Sequence, residues 1–212
     1  MEAVAVFHQA ENVPRTGAIV KNICVYCGSS PGRNPRYTEA ARELGQALVN
    51  RGLGLVYGGA SVGIMGKVAD AVLELGGEVI GVIPSALDAK EISHPGLTEQ
   101  HVVGSMHERK ALMAELASGF IALPGGWGTF EEIFEMLTWA QLGFHQKPCG
   151  LLNESGYYDH LAAFLEHAVN QQFVKPQCQP MLMIEADAGS LLERFDHYQA
   201  PSVRKWIDAS ET

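Results

Sequence analysis

Residues 122–139 read A-L-P-G-G-W-G-T-F-E-E-I-F-E-M-L-T-W, and this stretch decides the fold of the chain. A short apolar run over residues 120–123 ends at Pro124, and glycines at positions 125, 126 and 128 follow it. Thr129 is predicted to open a helix, because apolar residues then recur at helical spacing: Phe130, Ile133, Phe134 and Leu137. The stretch therefore predicts a strand, a glycine-rich turn and a helix in immediate succession.

A strand, a glycine turn and a helix start in this order form a candidate anion site. Backbone N–H groups at a helix N-terminus have no partners within the helix, and they carry the positive end of its dipole. Glycines let a phosphate approach that backbone closely, and Glu131 and Glu132 are predicted to stand in the first helical turn. A phosphate site with two carboxylates beside it indicates chemistry on a nucleotide.

The composition is that of a globular protein and argues against several function classes. The chain has 212 residues with 47% hydrophobic and 18% charged side chains, which predicts one domain. Its net charge of −9 argues against broad binding to nucleic acid or to anionic membranes. No apolar run approaches the ~20 residues of a membrane span. Glu2 stands where a signal peptide carries positive charge, so we expect a cytoplasmic protein.

The cysteine and histidine spacings indicate neither a redox motif nor a metal site. Cys24 and Cys27 have C-x-x-C spacing, but residues 23–26 are predicted to be a buried strand, whereas the redox motif opens a helix. We therefore expect reduced thiols. The eight histidines show no spacing typical of zinc ligands, and no metal or other cofactor is expected.

Predicted strands and helices alternate along the rest of the chain. Strands are predicted at residues 21–26, 53–57, 79–83, 149–152 and 181–184, in addition to 120–123. One helix is predicted to start after an Asn34 cap, with Pro35 at its first position, and another to follow the glycine turn at 58–66. A third is predicted to start at the capping box at 105–108. Two more are predicted at residues 157–172 and 190–195. The pattern predicts an α/β fold, namely a doubly wound, Rossmann-like, mostly parallel sheet with helices on both faces.

The predicted boundaries divide the chain into one domain and two flanking segments. We assign residues 1–20 to an N-terminal extension, 21–195 to the Rossmann-like domain and 196–212 to a C-terminal tail. Residues 85–104 contain Pro95, Gly96 and several polar residues, and we expect them to be a long functional loop. In such sheets ligands bind at the carboxyl ends of the strands, where the glycine turns lie. By topology alone, Ser29 and Ser30 after the first strand are expected to line the nucleotide pocket, and Gly59 in the glycine turn after the second strand is a further candidate for substrate binding.

Two familiar nucleotide motifs are missing. The fingerprint G-x-G-x-x-G does not follow the first strand, which disfavours an NAD-dependent oxidoreductase. Val68 follows Gly66 and Lys67, so the sequence lacks the hydroxyl with which a P-loop holds magnesium. ATP hydrolysis by that route is therefore excluded.

The charged candidates also have structural interpretations. Thr129 and Glu132 have capping-box spacing, so a role for Glu132 in capping the helix stays open beside a functional one. Arg109 and Lys110 lie one turn into the helix that begins after residue 105. Taken alone, this pair is most simply a solvated helix face.

Apolar residues on the same helices are expected to serve packing. Glu132, Met136 and Trp139 share a helix side away from the predicted core stripe, and we expect a partner subunit to cover it. The alternative cover is the chain's own loops. The methionines of the glycine and basic motifs are predicted to lie in the core: Met65, Met106 and Met113.

Three motifs together resemble one known family. They are G-G-A-S-V-G-I-M-G at 58–66, M-H-E-R-K at 106–110 and P-G-G-W-G-T-F-E-E at 124–132. In this order they closely resemble the cytokinin-activating phosphoribohydrolases, the LOG family, whose pattern P-G-G-x-G-T-x-x-E is met at every fixed position. The resemblance covers about residues 21–195.

The resemblance implies a homodimer that hydrolyses the N-glycosidic bond of N6-substituted adenosine 5′-monophosphates to free base and ribose 5-phosphate. By position, Arg109 and Glu132 match the family's catalytic pair. The implied substrate contacts are Glu91, Arg109, Lys110, Gly126, Trp127, Gly128, Thr129, Phe130, Glu131, Glu132 and Thr138. The family's older label of lysine decarboxylase finds no support in these residues, because no lysine lies in a recognisable pyridoxal-phosphate setting.

The residues suit this chemistry on physical grounds. Cleavage of a nucleoside bond builds positive charge on the ribose. A carboxylate such as Glu132 either stabilises this charge or activates the attacking water. Arg109 does not readily give up a proton, so its role in assisting the departing base, orienting Glu132 or binding phosphate stays open. Three alternatives also stay open: an AMP nucleosidase without preference for N6-substituted bases, a nucleotide- or cofactor-binding carrier, and a purely structural dimer.

Overall fold

A sheet of seven parallel strands forms the centre of the computed structural model, which describes residues 22–89 and 92–202. The strands are β1 (Asn22–Tyr26), β2 (Gly54–Tyr57), β3 (Val79–Pro84), β4 (Glu99–Val103), β5 (Gly119–Ala122), β6 (Cys149–Leu152) and β7 (Leu182–Glu185). They lie in the order β4-β3-β2-β1-β5-β6-β7. The residues of β2, β5 and β6 are buried along the whole strand, as expected where helices cover both faces of a sheet.

Helices cover the two faces of this sheet. In the described part of the chain they are α1 (Arg36–Asn50), α2 (Gly63–Glu74), α3 (Ser85–Asp88), α4 (Met106–Leu116), α5 (Trp127–Leu142), α6 (Asp159–Asn170) and α7 (Ala188–Asp196). Helices α1, α2 and α7 pack into one core cluster, and α4 and α5 pack into a second cluster on the opposite face. The predicted doubly wound, Rossmann-like α/β fold is confirmed, and every strand pair of the sheet is parallel.

The loops after β1, β2 and β5 meet at the carboxyl edge of the sheet. The strand order reverses at β1, which lies between β2 and β5, and ligands of such sheets bind at this reversal. Gly28 joins the loops through its backbone: its N–H donates to the carbonyl of Pro124 at 3.1 Å, and its carbonyl accepts from the N–H of Ile64 at 3.0 Å. The turns after β2 and β5 are therefore fixed relative to each other through Gly28 in the loop after β1.

Two predictions about local structure are wrong. Residues 85–104 are not one long loop, because they contain α3 and strand β4. Strand β4 lies at the edge of the sheet, and its side chains are exposed or only partly buried, so its sequence E-Q-H-V-V lacks the apolar run of a central strand. Helix α1 begins at Arg36 rather than at Pro35, and the side chain of Asn34 accepts a hydrogen bond from the Arg36 N–H at 3.0 Å.

The predicted flanking segments fall largely outside the described residues. This holds for the N-terminal extension, residues 1–20, and for the last part of the tail, residues 203–212. Within the described part of the tail, Tyr198 packs against the core cluster of α1, α2 and α7. Among the helices that the structure describes, none is long and apolar enough to cross a membrane.

Candidate active site

The glycine turn after β5 ends in an open helix N-terminus. Helix α5 begins at Trp127, with Gly126 as its N-cap, so the prediction that Thr129 opens the helix is wrong by two residues. A Cβ on Gly125 would overlap the side chain of Thr129, so packing requires that glycine. In contrast, a Cβ on Gly126 or Gly128 would meet nothing within 4 Å. The chain's own packing therefore leaves space at these two glycines for a ligand to reach the backbone.

The N-terminus of α5 offers unpaired backbone donors to this space. The first hydrogen bond of the helix joins the Phe130 N–H to the carbonyl of Gly126 at 3.1 Å. The N–H groups of Trp127, Gly128 and Thr129 therefore have no partner within the helix, and they stand at the positive end of its dipole. Trp127 is 89% exposed beside them. The local geometry is that of a phosphate cradle.

Helix α5 buries a wider surface than the sequence suggested, because Phe130, Phe134 and Leu137 of the predicted stripe also pack, partly buried, against the core. Its buried residues are Thr129, Glu132, Ile133, Met136 and Ala140. Met136 is fully buried and Trp139 partly buried in the core cluster that the helix forms with the sheet. The prediction that the side with Met136 and Trp139 faces a partner subunit is therefore wrong, because the chain's own core covers it.

Glu132 is a buried carboxylate and not a helix cap. It is the sixth residue of α5, in the second turn with Glu131, so the prediction that both acids stand in the first turn is wrong, and so is the capping alternative. The side chain lies inside the protein, with the residue only 8% exposed. Burial raises the pKa of Glu132 to about 7, and this rise is opposed by the nearby guanidinium of Arg109. The carboxyl group is thus poised to titrate near neutral pH.

Arg109 faces Glu132 from helix α4. Its Nε donates to the carbonyl of Val82 at 3.1 Å, and its Nη2 lies 3.8 Å from Oε1 of Glu132. The residue is 8% exposed, so the interpretation of this helix side as a solvated face is wrong. The guanidinium occupies the space that Gly58 leaves free, because a Cβ on Gly58 would overlap Nη2.

Lys110 connects α4 to α5. Its ammonium group donates to Glu131 at 2.5 Å and lies 3.0 Å from Oε2 of Glu135. Burial lowers the pKa of Lys110, but the hydrogen bonds to Glu131 and Glu135 outweigh this effect, and the net pKa is raised. Lys110 is therefore a protonated cation beside the cradle, with two carboxylates as its partners. The solvated-face interpretation fails here too, because Lys110 is buried.

The structure brings together some predicted site residues and leaves others apart. Ser29 is exposed on the loop after β1, and Gly59 is buried in the turn after β2, with a φ of +77°. Thr138 is exposed and lines a groove between α5 and α6 instead of the cradle. Glu91 lies outside the described residues. Met65 is partly buried and Met113 buried, whereas Met106 is exposed with its sulfur 3.8 Å from Nη1 of Arg109, so its assignment to the core is wrong.

Sequence reasoning missed several residues that shape the site. Gly58 makes room for Arg109, and Glu135 shares Lys110 with Glu131. The Tyr157 hydroxyl donates to the carbonyl of Gly125 in the glycine turn, and the Tyr158 hydroxyl donates to the carbonyl of Leu123 at the end of β5. The only sequence signals for them were the paired glycines at 58–59 and the G-Y-Y triplet at 156–158. Among the described residues, no group of three or more His, Cys, Asp or Glu side chains could hold a metal ion.

Comparison with known proteins defines the class. A family model described as "Possible lysine decarboxylase" matches residues 65–195. "Probable cytokinin riboside 5'-monophosphate phosphoribohydrolase LOGL5" of Oryza sativa subsp. japonica is 50% identical over 186 residues, which are 88% of this chain and 76% of that protein. The chain belongs to this family, the LOG family that its three motifs indicated.

Relatives from a second plant and from Rhodococcoides fascians agree with this assignment. "Cytokinin riboside 5'-monophosphate phosphoribohydrolase LOG7" of Arabidopsis thaliana is 49% identical over 179 residues, covering 84% of this chain and 82% of that protein. "Cytokinin riboside 5'-monophosphate phosphoribohydrolase" of Rhodococcoides fascians is 49% identical over 188 residues, covering 88% and 92%. The similarity therefore extends over more than four-fifths of this chain and of each of the two relatives.

Solved structures share the fold at much lower identity. The molybdenum cofactor binding protein from Rippkaea orientalis superposes with a TM-score of 0.65 at 23% identity, covering 85% of this chain and 98% of that one. The molybdenum cofactor carrier protein of Chlamydomonas reinhardtii gives a TM-score of 0.61 at 21% identity, with coverage of 84% and 98%. At such identities the likeness shows the fold alone.

Gly58→Ala should displace the Arg109 guanidinium without unfolding the protein. The added Cβ overlaps Nη2 of Arg109, so we expect base release from a nucleotide to fall by about 100-fold or more. Gly96→Ala is the matched control, because the nearest atom to its added Cβ, on His94, lies at an ordinary 3.6 Å. Steady-state kinetics and thermal melting measure both effects. Near-normal activity of Gly58→Ala would show that the observed position of Arg109 is not needed.

Glu132→Gln should change the pH dependence of stability. The pKa of Glu132 is raised from 4.5 to about 7 in the folded state, so the stability that its proton supplies is present below pH 4.5 and is lost as the pH rises to 7. Between pH 5 and pH 8, the variant should gain stability relative to the wild type, on the order of 3 kcal/mol. Urea unfolding at both pH values tests this, with Glu74→Gln as an exposed control. An unchanged difference between Glu132→Gln and wild type would contradict the raised pKa.

Proposed function

We propose that the protein hydrolyses the N-glycosidic bond of N6-substituted adenosine 5′-monophosphates, releasing the free base and ribose 5-phosphate. The observation that carries the proposal is the buried pair of Glu132 and Arg109. Glu132 lies on α5, whose N-terminus forms the cradle, and Arg109 lies on the neighbouring α4. A phosphate bound at Gly126 and Gly128 places the ribose of a nucleotide near the second turn of α5, where Glu132 stands. The names of the relatives at about 50% identity fit this substrate.

The 5′-phosphate rests on backbone donors in this proposal. The N–H groups of Gly126, Gly128 and Thr129 stand at the helix N-terminus, and the two glycines leave the backbone accessible. Lys110 adds positive charge nearby, although its ammonium group is already held by Glu131 and Glu135. The fixed dipoles of the backbone therefore supply most of the phosphate binding.

Glu132 acts on the ribose. The departure of the base leaves an oxocarbenium-like sugar, and an ionised carboxylate stabilises its positive charge or takes a proton from the attacking water. A carboxyl group with a pKa near 7 is a stronger base than an exposed glutamate and is still substantially ionised at neutral pH. Burial of Glu132 thus increases its basicity and also the strength of its charge interactions.

Arg109 positions Glu132 and balances its charge. The guanidinium is fixed at one end by the carbonyl of Val82 and faces the carboxylate at the other. It remains protonated, so it meets negative charge on the departing base as a cation rather than as an acid. A cofactor carrier needs the cradle but no buried acid beside the sugar, and the Glu132–Arg109 pair therefore favours an enzyme over a carrier.

We also propose that the protein is a homodimer, with the interface on α5 and α6. A groove of about 540 Å³ runs between these helices, with Phe134, Leu137 and Thr138 of α5 on one side. Ala162, Leu165 and Val169 of α6 form the other side, so the groove is lined largely by apolar side chains. Burial of such a surface against a second copy stabilises a dimer.

Thr138 connects the dimer to the site. It follows Glu132 by six residues, so it lies about 9 Å along the helix and about 120° around it from the carboxylate. A substrate held at the cradle of the same chain is therefore out of its reach. If Thr138 contacts substrate as the family resemblance implies, it does so in the site of the second copy.

A reducing compartment suits the cysteines of this protein. All four, Cys24, Cys27, Cys149 and Cys178, are free thiols in the structure. Free and mostly buried thiols are typical of proteins that stay in a reducing environment. We therefore include a cytoplasmic location in the proposal.

A product assay tests the activity. Purified protein is offered AMP, N6-isopentenyl-AMP and adenosine, and we expect release of base from the nucleotides but not from adenosine, fastest from the N6-substituted one. Glu132→Gln should lower kcat by about 100-fold or more, while Glu74→Gln retains full activity. Below pH 7 the wild-type kcat/KM should fall about tenfold per pH unit as Glu132 becomes protonated.

The assay also separates the alternatives. Equal rates with AMP and N6-isopentenyl-AMP would indicate an AMP nucleosidase instead. Binding of AMP without release of base from any substrate would indicate a carrier, and full activity of Glu132→Gln would remove this residue from the mechanism.

The dimer is tested by mass measurement in solution. Light scattering should give twice the chain mass of 22.9 kDa. Ala163→Glu should shift the protein to monomer, because it places a charge at an exposed position that lines the groove of the proposed interface, and Leu75→Glu, at an exposed site on the end of α2, should not. If Thr138 completes the second site, the monomer should also lose activity. A wild-type monomer would contradict the proposal.

A further inference from the structure

The turn between β6 and α6 is held in an unusual conformation. Ser155 and Gly156 both have left-handed backbone angles, with φ of 53° and 71°, and this region is unfavourable for a serine. Glu154 is buried, and its carboxylate accepts from Nε and Nη2 of Arg36 at 3.4 and 3.1 Å. The side chain of Asn153 accepts from the Tyr158 N–H at 2.7 Å. These contacts fix the direction in which Tyr157 and Tyr158 leave the turn.

Both tyrosines reach the segment that connects β5 to α5. The Tyr157 hydroxyl donates to the carbonyl of Gly125 at 2.5 Å, and the Tyr158 hydroxyl donates to the carbonyl of Leu123 at 2.7 Å. Their rings pack edge to face at 4.9 Å. The other edge-to-face pairs continue this aromatic cluster from α1 to the start of α5: Tyr37 with Tyr157, Phe130 with Tyr158, and Trp127 with Phe130.

The bond to Gly125 determines where the next N–H group points. The carbonyl of Gly125 and the N–H of Gly126 belong to one planar trans peptide, so they point in opposite directions. A carbonyl held towards Tyr157 therefore directs the Gly126 N–H away from the aromatic cluster, to the exposed side of the turn. Gly125 and Gly126 have no side chains to hold this peptide, and glycine backbones otherwise adopt many orientations.

We infer that Tyr157 and Tyr158 are positioning residues for the phosphate cradle. Tyr157 orients the Gly125–Gly126 peptide so that its N–H faces the ligand, and Tyr158 fixes the end of β5 from which the turn starts. Neither hydroxyl needs to touch the substrate. The inference rests on the proposed phosphate site, and it adds that the donors of this site are oriented in advance by side chains from the β6–α6 turn.

Removal of the Tyr157 hydroxyl tests the inference through the phosphate group. In a Glu132→Gln background, which prevents turnover, calorimetry compares the binding of AMP with that of adenosine. Tyr157→Phe keeps the ring in the cluster but frees the peptide, so we expect AMP to bind about tenfold more weakly and adenosine to bind within twofold of the parent. With Glu132 restored, KM for the nucleotide should rise about tenfold while kcat changes less than threefold.

Tyr37→Phe is the matched control, because it removes a hydroxyl from the same aromatic cluster and leaves the bond to Gly125 intact. It should bind both ligands as the parent does. Tyr158→Phe should act in the same direction as Tyr157→Phe but lower the melting temperature more, since its hydroxyl and the Leu123 carbonyl are buried.

Three outcomes would overturn the inference. They are unchanged AMP affinity in Tyr157→Phe, equal losses for AMP and adenosine, and a parent that binds both ligands equally well. Failure of the proposed activity gives a different result: wild type that releases no base, combined with a selective loss of AMP affinity in Tyr157→Phe, leaves the positioning role supported.

Discussion

The proposed chemistry of this protein depends on a carboxylate and a guanidinium that are held out of water at the edge of a parallel sheet. Glu132 and Arg109 lie on neighbouring helices with their charged groups 3.8 Å apart. Burial is unfavourable for both charges, and each lowers the cost for the other. The rise in the pKa of Glu132 shows that compensation is incomplete, so part of the folding energy is used to keep a basic carboxylate in the candidate active site. The bond from Arg109 to Val82 and the space left by Gly58 keep the guanidinium in place.

The phosphate cradle is an assembly of several loops, although its donors belong to one helix. Gly28 links the turns after β1, β2 and β5 through backbone hydrogen bonds, and the two tyrosines after β6 hold the turn before α5. Four consecutive strands of the sheet, from β2 to β6 in spatial order, thus contribute to one small site. The glycines of the turn before α5 differ in their packing: Gly125 is tightly packed, whereas Gly126 and Gly128 face the open space in which the proposed phosphate would bind.

Two descriptions of similar proteins, as molybdenum cofactor proteins and as a possible lysine decarboxylase, do not agree with the proposed activity. The reason is that proteins can share a fold without sharing a site. The solved structures described as molybdenum cofactor proteins share the parallel sheet at 20–23% identity, and a sheet of this kind serves many functions. The family description "Possible lysine decarboxylase" finds no counterpart in Lys110, a protonated cation between two carboxylates. The residues that carry the proposed hydrolysis, Glu132 and Arg109, are a feature of the site and not of the sheet.

The sequence by itself determined the α/β class and the parallel sheet, because apolar periodicity is a local property of the chain. Its three short motifs also indicated the family and, through that resemblance, Arg109 and Glu132 as candidate site residues. Only the tertiary structure decided what lay outside local pattern. Strand β4 was missed since an edge strand needs no apolar run. The side of α5 with Met136 was assigned to a partner because helical spacing shows which residues share a side but not what covers that side. Gly58, Tyr157 and Tyr158 gained their roles from contacts with residues 32 to 51 positions away in the chain, and such distant contacts leave no periodic signal in a single sequence.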